Sequence, residues 1–284
     1  MADDEASIEW LVADLAHGDG RAREFDGTGL RIARICSSDD PLFGAAYEKL
    51  WAEFGAEHTM EPRDLIARRL AWHPAGEIDG CWLRYEMILV QREEKFVAVR
   101  DHTAVVTASS GSAQAVVHLS HVLVDPEWRR AGLAGWLRAW PLQTARACLV
   151  AAGFSIESPV TLVAEMEHPD SEHQGRLIRL KAYEKAGFKK IDPGAVKYFQ
   201  PDFRLPAAID ESGGPRPLPF GLVLRRVGRE PETAIRGGEV RDVVTCLYRM
   251  YGVGFRSTDM AAVWETLRDY PADDAEVALV PPTQ

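Results

Sequence analysis

One stretch of the sequence passes directly from a strand pattern into a helix pattern. Residues 121–137 read HVLVDPEWRRAGLAGWL, in which a valine-rich segment meets an apolar helical repeat across Gly132, Ala134 and Gly135. A strand that continues straight into a helix leaves the first helical N–H groups unpaired, at the positive end of the helix dipole. Small residues let an anion approach those groups, so the stretch predicts a phosphate-binding strand–loop–helix unit.

Two arginines in this loop, Arg129 and Arg130, add donors that suit a phosphate. The glycine spacing is not G-x-G-x-x-G, and the loop does not end in the G-K-[ST] of a Walker motif. A nucleotide-binding Rossmann or NTPase domain is therefore disfavoured. The alternative is a tight turn whose arginines face water, and the turn by itself does not decide between the two.

The rest of the chain alternates strand and helix patterns, which predicts a mixed α/β domain with helical material at both ends. Strands are predicted at 28–35, 81–109 (two or three, reversing at 92–95), 115–124, 158–167, 195–200 and 220–227. Helices are predicted at 8–16 (capped by Ser7), 39–56, 61–73, 133–152 (kinked or broken at Pro141), 175–187 and, as a pair, 237–271, with a long loop at 201–219.

Composition narrows the class of protein. The 284 residues are 46% hydrophobic, enough for a buried core, and carry a formal net charge of -10, which suits a cationic small partner better than nucleic acid. The N-terminus lacks the pattern of a signal peptide, and no run approaches the roughly 18 apolar residues of a membrane span. The four cysteines lie far apart, so we expect buried, reduced thiols in a cytoplasmic protein without a metal site.

Two motifs together resemble a known family. Residues 122–134, VLVDPEWRRAGLA, match the pattern V-x-V-x-P-x-x-[QR]-x-x-G-x-[GA] of the acetyl-coenzyme A loop in GNAT N-acetyltransferases. Residues 182–188, AYEKAGF, resemble the family's later helix that carries Tyr and ends in Gly-Phe. The resemblance implies a mostly antiparallel GNAT-type sheet flanked by helices, with a helical segment at 1–27, the acetyltransferase domain at 28–228 and a helical extension at 229–284.

The resemblance also implies where acetyl-CoA would bind. The strand segment Val122, Leu123 and Val124 would splay from its neighbour at a bulge, with the pantetheine arm against its free backbone groups. The Val122 N–H would be the oxyanion donor. The pyrophosphate would contact Arg129 and the N–H groups of Arg130, Ala131, Gly132, Leu133, Ala134 and Gly135. Arg176 and Arg179 stand where the family often has Asn and a small residue, so no cofactor contact is carried over to them.

Acetyl transfer to an amine needs a base, because an ammonium has no lone pair. Counting back by twos from Val122 gives Ser120 and His118, and an imidazole at His118 suits a base at neutral pH. His121 has the opposite parity in a regular strand, although a bulge can reverse it. A water chain without a dedicated base and Glu165, at the end of the next strand, remain alternatives, as does a purely structural His118.

Tyr183, in the second motif, is the candidate general acid, because a phenol and a thiolate leaving group are of comparable basicity. The alternative is a core aromatic that packs with Leu180 and Ala186. For the acceptor we expect a small amine or an amino-acid derivative, bound by a monomer or homodimer. An aromatic, acid-rimmed pocket would be lined by Trp51, Phe54, His58, Trp72, Tyr198 and Phe199, with Glu53, Glu57 and Glu61 at its rim.

Other functions remain open on the sequence. A protein N-terminus or a lysine would suit the same fold as an acceptor. The domain would also suit a sensor or interaction module that binds acetyl-CoA with little turnover, or an acyltransferase for a longer chain.

Overall fold

The computed structural model of the chain describes residues 8–56, 58–109, 112–168 and 174–284. Its strands are β1 (Leu30–Ile35), β2 (Gly76–Ile78), β3 (Cys81–Arg92), β4 (Lys95–Ser109), β5 (Ser112–Val124), β6 (Val160–Met166), β7 (Lys189–Ile191), β8 (Tyr198–Gln200), β9 (Leu218–Arg226), β10 (Ala234–Arg236) and β11 (Glu276–Val280). Its helices are α1 (Gly20–Arg23), α2 (Phe43–Phe54), α3 (Arg63–Leu70), α4 (Leu133–Ala139), α5 (Pro141–Ala151), α6 (Gln174–Lys185), α7 (Pro206–Glu211), α8 (Gly237–Gly252) and α9 (Ser257–Glu265).

The strands form one 11-stranded sheet in the order β1-β3-β4-β5-β6-β9-β7-β11-β10, with β2 added to β3 and β8 added to β9. Of these pairings only β5 with β6 is parallel. A parallel pair needs a crossover on one face of the sheet, which α4 and α5 provide. The predicted fold class, a mixed and mostly antiparallel sheet flanked by helices, is confirmed.

Helices cover both faces of the sheet. Neighbouring residues of β4 take opposite sides, as the period of two in a strand requires. Val105 belongs to the apolar cluster that includes residues of α2, α3, α8 and α9, and Val106 belongs to the cluster that includes residues of α5 and α6. Pro141 stands at the first position of α5, directly after Trp140, so the predicted break falls where expected. Both cores converge on the middle strands, which hold the candidate site.

The N-terminal segment differs from its prediction. Residues 8–16 contain one short 3-10 turn, Val12–Asp14, rather than a helix, and the predicted cap Ser7 lies outside the described residues. Short helices are marginal without tertiary support, and packing decides the conformation here. Trp10 lies against Trp136 and Trp140 at centroid distances of 4.9 and 5.1 Å. Packing against α4 and Trp140, rather than the helical period of its own sequence, therefore sets the conformation of this segment.

The C-terminal segment carries the two predicted helices and also two strands. Strand β11 pairs with β7, with Leu279 opposite Ile191, so residues 229–284 extend the main sheet as well as covering one face. Two other elements were not predicted. They are β7, which begins two residues after Gly187, and α7, which lies inside the predicted loop 201–219. Pro206 stands at the first position of α7, where its missing N–H costs nothing.

Cysteine usage agrees with its prediction, because Cys36, Cys81, Cys148 and Cys246 are all buried free thiols. Among the described helices, none has the length and apolar character needed to cross a bilayer.

Candidate active site

The parallel pair β5–β6 opens partway along its length. The two strands pair from Ala115 opposite Val160 to His118 opposite Val163, and beyond His118 the register stops. From Leu119 onward the edge of β5 that faces β6 makes no ladder within the described chain. The splay that the resemblance implied is therefore present, and it begins at His118.

A bulge on the other side of β5 accompanies the opening. Against β4, Asp101 pairs with His121 and Thr103 pairs with His118, so two residues of β5, Leu119 and Ser120, stand opposite one residue of β4. A bulge redirects the side chains that follow it. In a regular strand, the His121 side chain would lie on the face opposite His118. The bulge turns it to the same side as His118.

A cavity of about 280 Å³ lies at this opening, and Ser120, His121 and His118 all line it. Its other walls come from α2, α6, β6, β8, β9 and α8 and from the loops that follow α2, β6 and β8. The residues from these elements are Glu53, Phe54, Thr59, Glu61, Glu165, Glu167, Gly175, Arg176, Arg179, Gln200, Phe203, Phe220 and Tyr251.

His118 and Glu165 form one hydrogen-bonded pair at the cavity floor. Nε2 of His118 lies 3.1 Å from Oε2 of Glu165, and Nδ1 of His118 lies 3.1 Å from Oγ of Ser120. Glu165 also accepts hydrogen bonds from Tyr251 at 2.8 Å and Gln200 at 3.0 Å, and one from the Tyr198 hydroxyl. Two sequence-predicted residues are thus brought together, with partners that the sequence did not reveal.

Glu165 is held as a carboxylate. Burial alone would raise its pKa, but its interaction with His118 and the hydrogen bonds from Tyr198 and Gln200 bring the pKa below the usual value. Four donors occupy its oxygens. Three of these donors contact Oε2 and one contacts Oε1. A buried carboxylate that has a lowered pKa and already accepts these hydrogen bonds is a poor proton acceptor, so the geometry favours Glu165 as the group that orients His118.

His121 occupies a different electrostatic environment. Its Nδ1 lies 3.0 Å from Oδ1 of Asp101, and its Nε2 lies 2.9 Å from the carbonyl oxygen of Thr59. Burial lowers the pKa of His121, but the Asp101 charge outweighs burial and raises it to about 9. His121 is therefore a cation at neutral pH with both N–H groups in use, and it cannot serve as the base.

The loop before α4 offers free backbone donors. Arg130 and Gly132 have positive φ angles of 68° and 112°, and the N–H groups of Arg130, Gly132, Leu133 and Ala134 meet no acceptor among the residues described. Arg130 and Ala134 are exposed. Successive N–H groups in such a conformation form an anion-binding concavity at a helix N-terminus. This observation fits the diphosphate of coenzyme A.

Three positions in the loop fit less well than the resemblance implied. The N–H of Gly135 donates to the Gly132 carbonyl at 3.0 Å, and that of Ala131 donates to Trp128 at 3.4 Å, so neither is free. The Arg129 side chain folds back, with Nε 3.1 Å from the Val124 carbonyl oxygen.

The two glycines of this loop have a second structural role. A Cβ on Gly132 would collide with the carbonyl oxygen of Arg21, and one on Gly135 would meet Ala22 at 2.6 Å. The N-terminal segment is fixed there because Nε1 of Trp136 donates to the Ala22 carbonyl at 2.8 Å. Close packing of this segment, and not only an anion, requires glycine at both positions.

Tyr183 lies outside the cavity. It is 4% exposed in the core beneath α6, in the same cluster as Leu180 and Ala186, with its ring 4.8 Å from Phe188. The guanidinium of Arg138 stands 5.8 Å from the ring. The structure thus places it as a packed core aromatic, and its acid role stays a prediction.

The predicted acceptor pocket is partly assembled. Phe54, Glu53 and Glu61 line the cavity, but Glu61 is buried in an ion pair with Arg69 at 2.5 Å. Trp51 stacks on Tyr47 at 40% exposure, and Trp72 belongs to the core. Glu57 lies outside the described residues, and Tyr198 touches the site only through Glu165. His58 and Phe199 do not line the cavity.

A metal-ligand geometry occurs elsewhere. Cys36, His73 and Glu86 place ligand atoms within 4.8 Å of one another. Glu86 already pairs with Arg34 at 3.3 Å and Arg84 at 2.6 Å, so its charge is neutralised by protein. This cluster is a buried ion-pair network.

No model of a known protein family matches the chain, and no curated protein matches it. Among solved structures, it is similar to an aminoglycoside acetyltransferase from an uncultured soil metagenomic sample, in complex with trehalose or with sisomicin, at 16% identity and a TM-score of 0.34, over 54% of this chain and 86% of that one. A tandem GNAT protein from the clavulanic acid biosynthesis pathway is similar at 17% identity and a TM-score of 0.35, over 84% of this chain and 66% of that one.

Proposed function

We propose that this chain is an N-acetyltransferase that moves the acetyl group of acetyl-CoA to a primary amine of a small molecule or amino-acid derivative, by direct attack in a ternary complex. One observation carries the proposal. The opening between β5 and β6 begins at His118, so a free strand edge, a His–carboxylate pair and a cavity meet at one place.

The free groups of the chain suggest how acetyl-CoA would be held. The unpaired edge of β5 at Val122, Leu123 and Val124 would pair with the pantetheine arm as an added strand. The N–H groups of Arg130 and of residues 132–134 would hold the diphosphate. Acetyl-CoA supplies the activated acetyl group, and the protein supplies positions and proton transfers.

His118 is the proposed base. Glu165 accepts a hydrogen bond from the Nε2–H of His118. This bond fixes the ring and leaves the lone pair of a neutral imidazole on Nδ1. When His118 takes up a proton, the charge that forms is balanced by Glu165. Glu165 would then act as the aspartate of a Ser-His-Asp triad does, by orienting the imidazole and stabilising the imidazolium.

Two further roles belong to the proposal. The Val122 N–H, on the strand that splays, would stabilise the negative charge that develops on the carbonyl oxygen. Tyr183 would protonate the leaving thiolate, which requires the donor's sulfur to lie on the α6 side of the opening.

The acceptor is proposed to be small and cationic. The cavity of about 280 Å³ is at the small end of ligand sites. Its exposed carboxylate Glu53 has no ion pair among the described residues, in contrast to Glu61 and Glu167. An ammonium group would be drawn to Glu53, lose its first proton to solvent, and reach the base as a free amine.

Calorimetry with acetyl-CoA, followed by a free-thiol assay over a panel of amino acids, polyamines, aminoglycosides and peptides, tests the function. We expect binding and thiol release with at least one small amine. Binding without thiol release for any amine would instead identify a sensor. Release only with peptides would identify a protein acetyltransferase, and absence of binding would refute the proposal.

A further inference from the structure

Ser120 stands between His118 and the cavity. It is the second of the two residues in the β5 bulge, it lines the cavity, and its Oγ lies 3.1 Å from Nδ1 of His118. In a regular strand, the side chains of His118 and Ser120 would lie on one face of the sheet, but the Ser120 side chain would not be displaced toward the cavity. The bulge therefore places a hydroxyl at the only nitrogen of His118 that Glu165 does not hold.

The hydrogen-bond directions follow from the partners of Glu165. A carboxylate only accepts, so the 3.1 Å contact requires Nε2 of His118 to donate. In the neutral ring Nδ1 is then an acceptor, and the Ser120 hydroxyl must donate to it. The Oγ lone pairs of Ser120 remain available to a molecule in the cavity.

We propose that Ser120 is a catalytic residue that relays the acceptor's proton to His118. This inference depends on the proposed function. As the amine nitrogen bonds to the acetyl carbon and the C–S bond of the donor breaks, an N–H proton moves to Oγ of Ser120. The hydroxyl proton of Ser120 moves at the same time to Nδ1 of His118, whose new positive charge faces Glu165. The electron pair of the C–S bond leaves with the thiolate, which takes a proton from Tyr183. His118 then releases its proton to solvent, and Tyr183 regains one from solvent.

The other charged groups around the cavity do not offer a competing relay. His121 is a cation bound to Asp101, and Glu61 is paired with Arg69. Glu167 is paired with Arg176 at 2.9 Å and with Arg179 at 3.3 Å. The hydroxyl of Tyr251 donates its hydrogen bond to Glu165. Glu53 is exposed on α2 and has no hydrogen bond to His118.

Ser120→Ala and Ser120→Thr separate the relay from a packing role. With acetyl-CoA and the best amine of the panel, we expect Ser120→Ala to lower kcat by about 10²-fold, the low end of the range of about 10²–10⁴ for general bases. The KM for acetyl-CoA should stay within twofold. Ser120→Thr keeps the hydroxyl and should retain kcat within about threefold. Ser155→Ala, which removes an exposed serine hydroxyl, is the matched control. Full kcat in Ser120→Ala, with chemistry rate-limiting, would overturn the relay.

Two further measurements keep the test independent of turnover. In the resting protein, ¹⁵N NMR of the imidazoles, assigned with His118→Gln, should show neutral His118 protonated on Nε2. Protonation on Nδ1 would overturn the proposal even if no acceptor amine is ever found. Intact-mass analysis after acetyl-CoA alone should show unmodified protein. An acetyl adduct that Ser120→Ala abolishes would make Ser120 a nucleophile and also overturn the relay.

Discussion

Nδ1 of His121 lies 3.0 Å from Oδ1 of Asp101, and the pair is buried one residue from the proposed relay. The backbone N–H of His121 donates to the same oxygen at 2.8 Å. Because Asp101 raises the pKa of His121, this histidine holds its proton where His118 must release one. The bulge thus lies between His118, the proposed base, and His121, which keeps its proton in an ion pair with Asp101.

This ion pair predicts a loss of stability at alkaline pH. The folded pKa of His121 is about 9, against 6.5 for the free side chain. The stabilisation is therefore complete below pH 6.5 and is lost as the pH rises through about 9, with a total on the order of 3 kcal/mol. The Asp101 pKa of about 2 places its own loss below pH 4, outside this window. Urea unfolding from pH 6 to 9.5 should show the decline in the wild type.

Asp101→Asn is the comparison for that measurement. It removes the charge that raises the pKa of His121, so the free energy of unfolding should be lower at pH 6 and nearly level above it. If the wild type and Asp101→Asn decline in parallel, the alkaline loss comes from other groups and the prediction is wrong.

His118 and Glu165 predict a pH-dependent rate. At subsaturating amine, the rate should rise with pH because the amine and the base both act in their unprotonated forms, and His118→Ala should lower the rate most at neutral pH. The deficit should shrink at high pH, where free amine needs no base. A loss of less than roughly threefold at neutral pH would contradict a base role for His118.

Glu165→Gln is the paired variant. Because Glu165 orients the ring, we expect a lower rate with the pH-dependent rise retained. A large loss of rate at neutral pH in Glu165→Gln, together with a loss of less than roughly threefold in His118→Ala, would place the base on β6 instead.

Tyr183→Phe tests the proposed acid. The ring contact with Phe188 should survive, so the fold and the acetyl-CoA affinity should be unchanged. Turnover should fall by about tenfold or more, because only the proton-donating hydroxyl is lost. Full turnover with chemistry rate-limiting would show that Tyr183 only packs the core.

Ala134→Glu tests the anion loop. Gly132→Glu would be a poor choice, since any Cβ at Gly132 collides with Arg21 and disturbs the N-terminal segment. Ala134 is exposed and its N–H is free, so a carboxylate there should repel the diphosphate without disturbing the helix. Calorimetry should show at least tenfold weaker acetyl-CoA binding, about 1.4 kcal/mol.

Val150→Glu adds the same charge at a position of 59% exposure on α5, away from the loop, and should leave the affinity unchanged. Equal weakening by the two variants would indicate a general charge effect, and unchanged affinity in Ala134→Glu would remove the loop from the site.

Helix α8 is predicted to unfold together with the sheet. Leu247 is fully buried against the face that also holds Tyr85 and Val105. Leu247→Ala should lower the free energy of unfolding by about 2–5 kcal/mol in a single transition. Arg268→Ala, at a side chain of 77% exposure, should change it by less than about 0.5 kcal/mol. Hydrogen exchange in α8 that is much faster than in β5 would contradict the prediction.

The elements themselves follow from local patterns. Alternating valines in β5, the glycine stop after α6 and the small residues before α4 predict these structures because each pattern expresses a backbone preference or a buried face. His118 and Glu165 were also singled out from the sequence as alternative candidates for the base, because strand parity and motif spacing are local, and the structure brings the two side chains into contact. The strands β7, β10 and β11 were missed since each is short and depends on a distant partner for its hydrogen bonds.

Tertiary structure decided what these residues can do. The extra residue in the β5 bulge turns the side chains of Ser120 and His121 toward the same cavity. The residue pattern of the strand does not predict the position at which the register against β4 shifts. Asp101 fixed the charge of His121, and Tyr251, from a helix expected only to cover the sheet, became a donor to Glu165. The sequence determined which groups are present and on which elements. Their protonation states and directions depend on contacts between residues far apart in the chain, whose free energies only the complete packing sets.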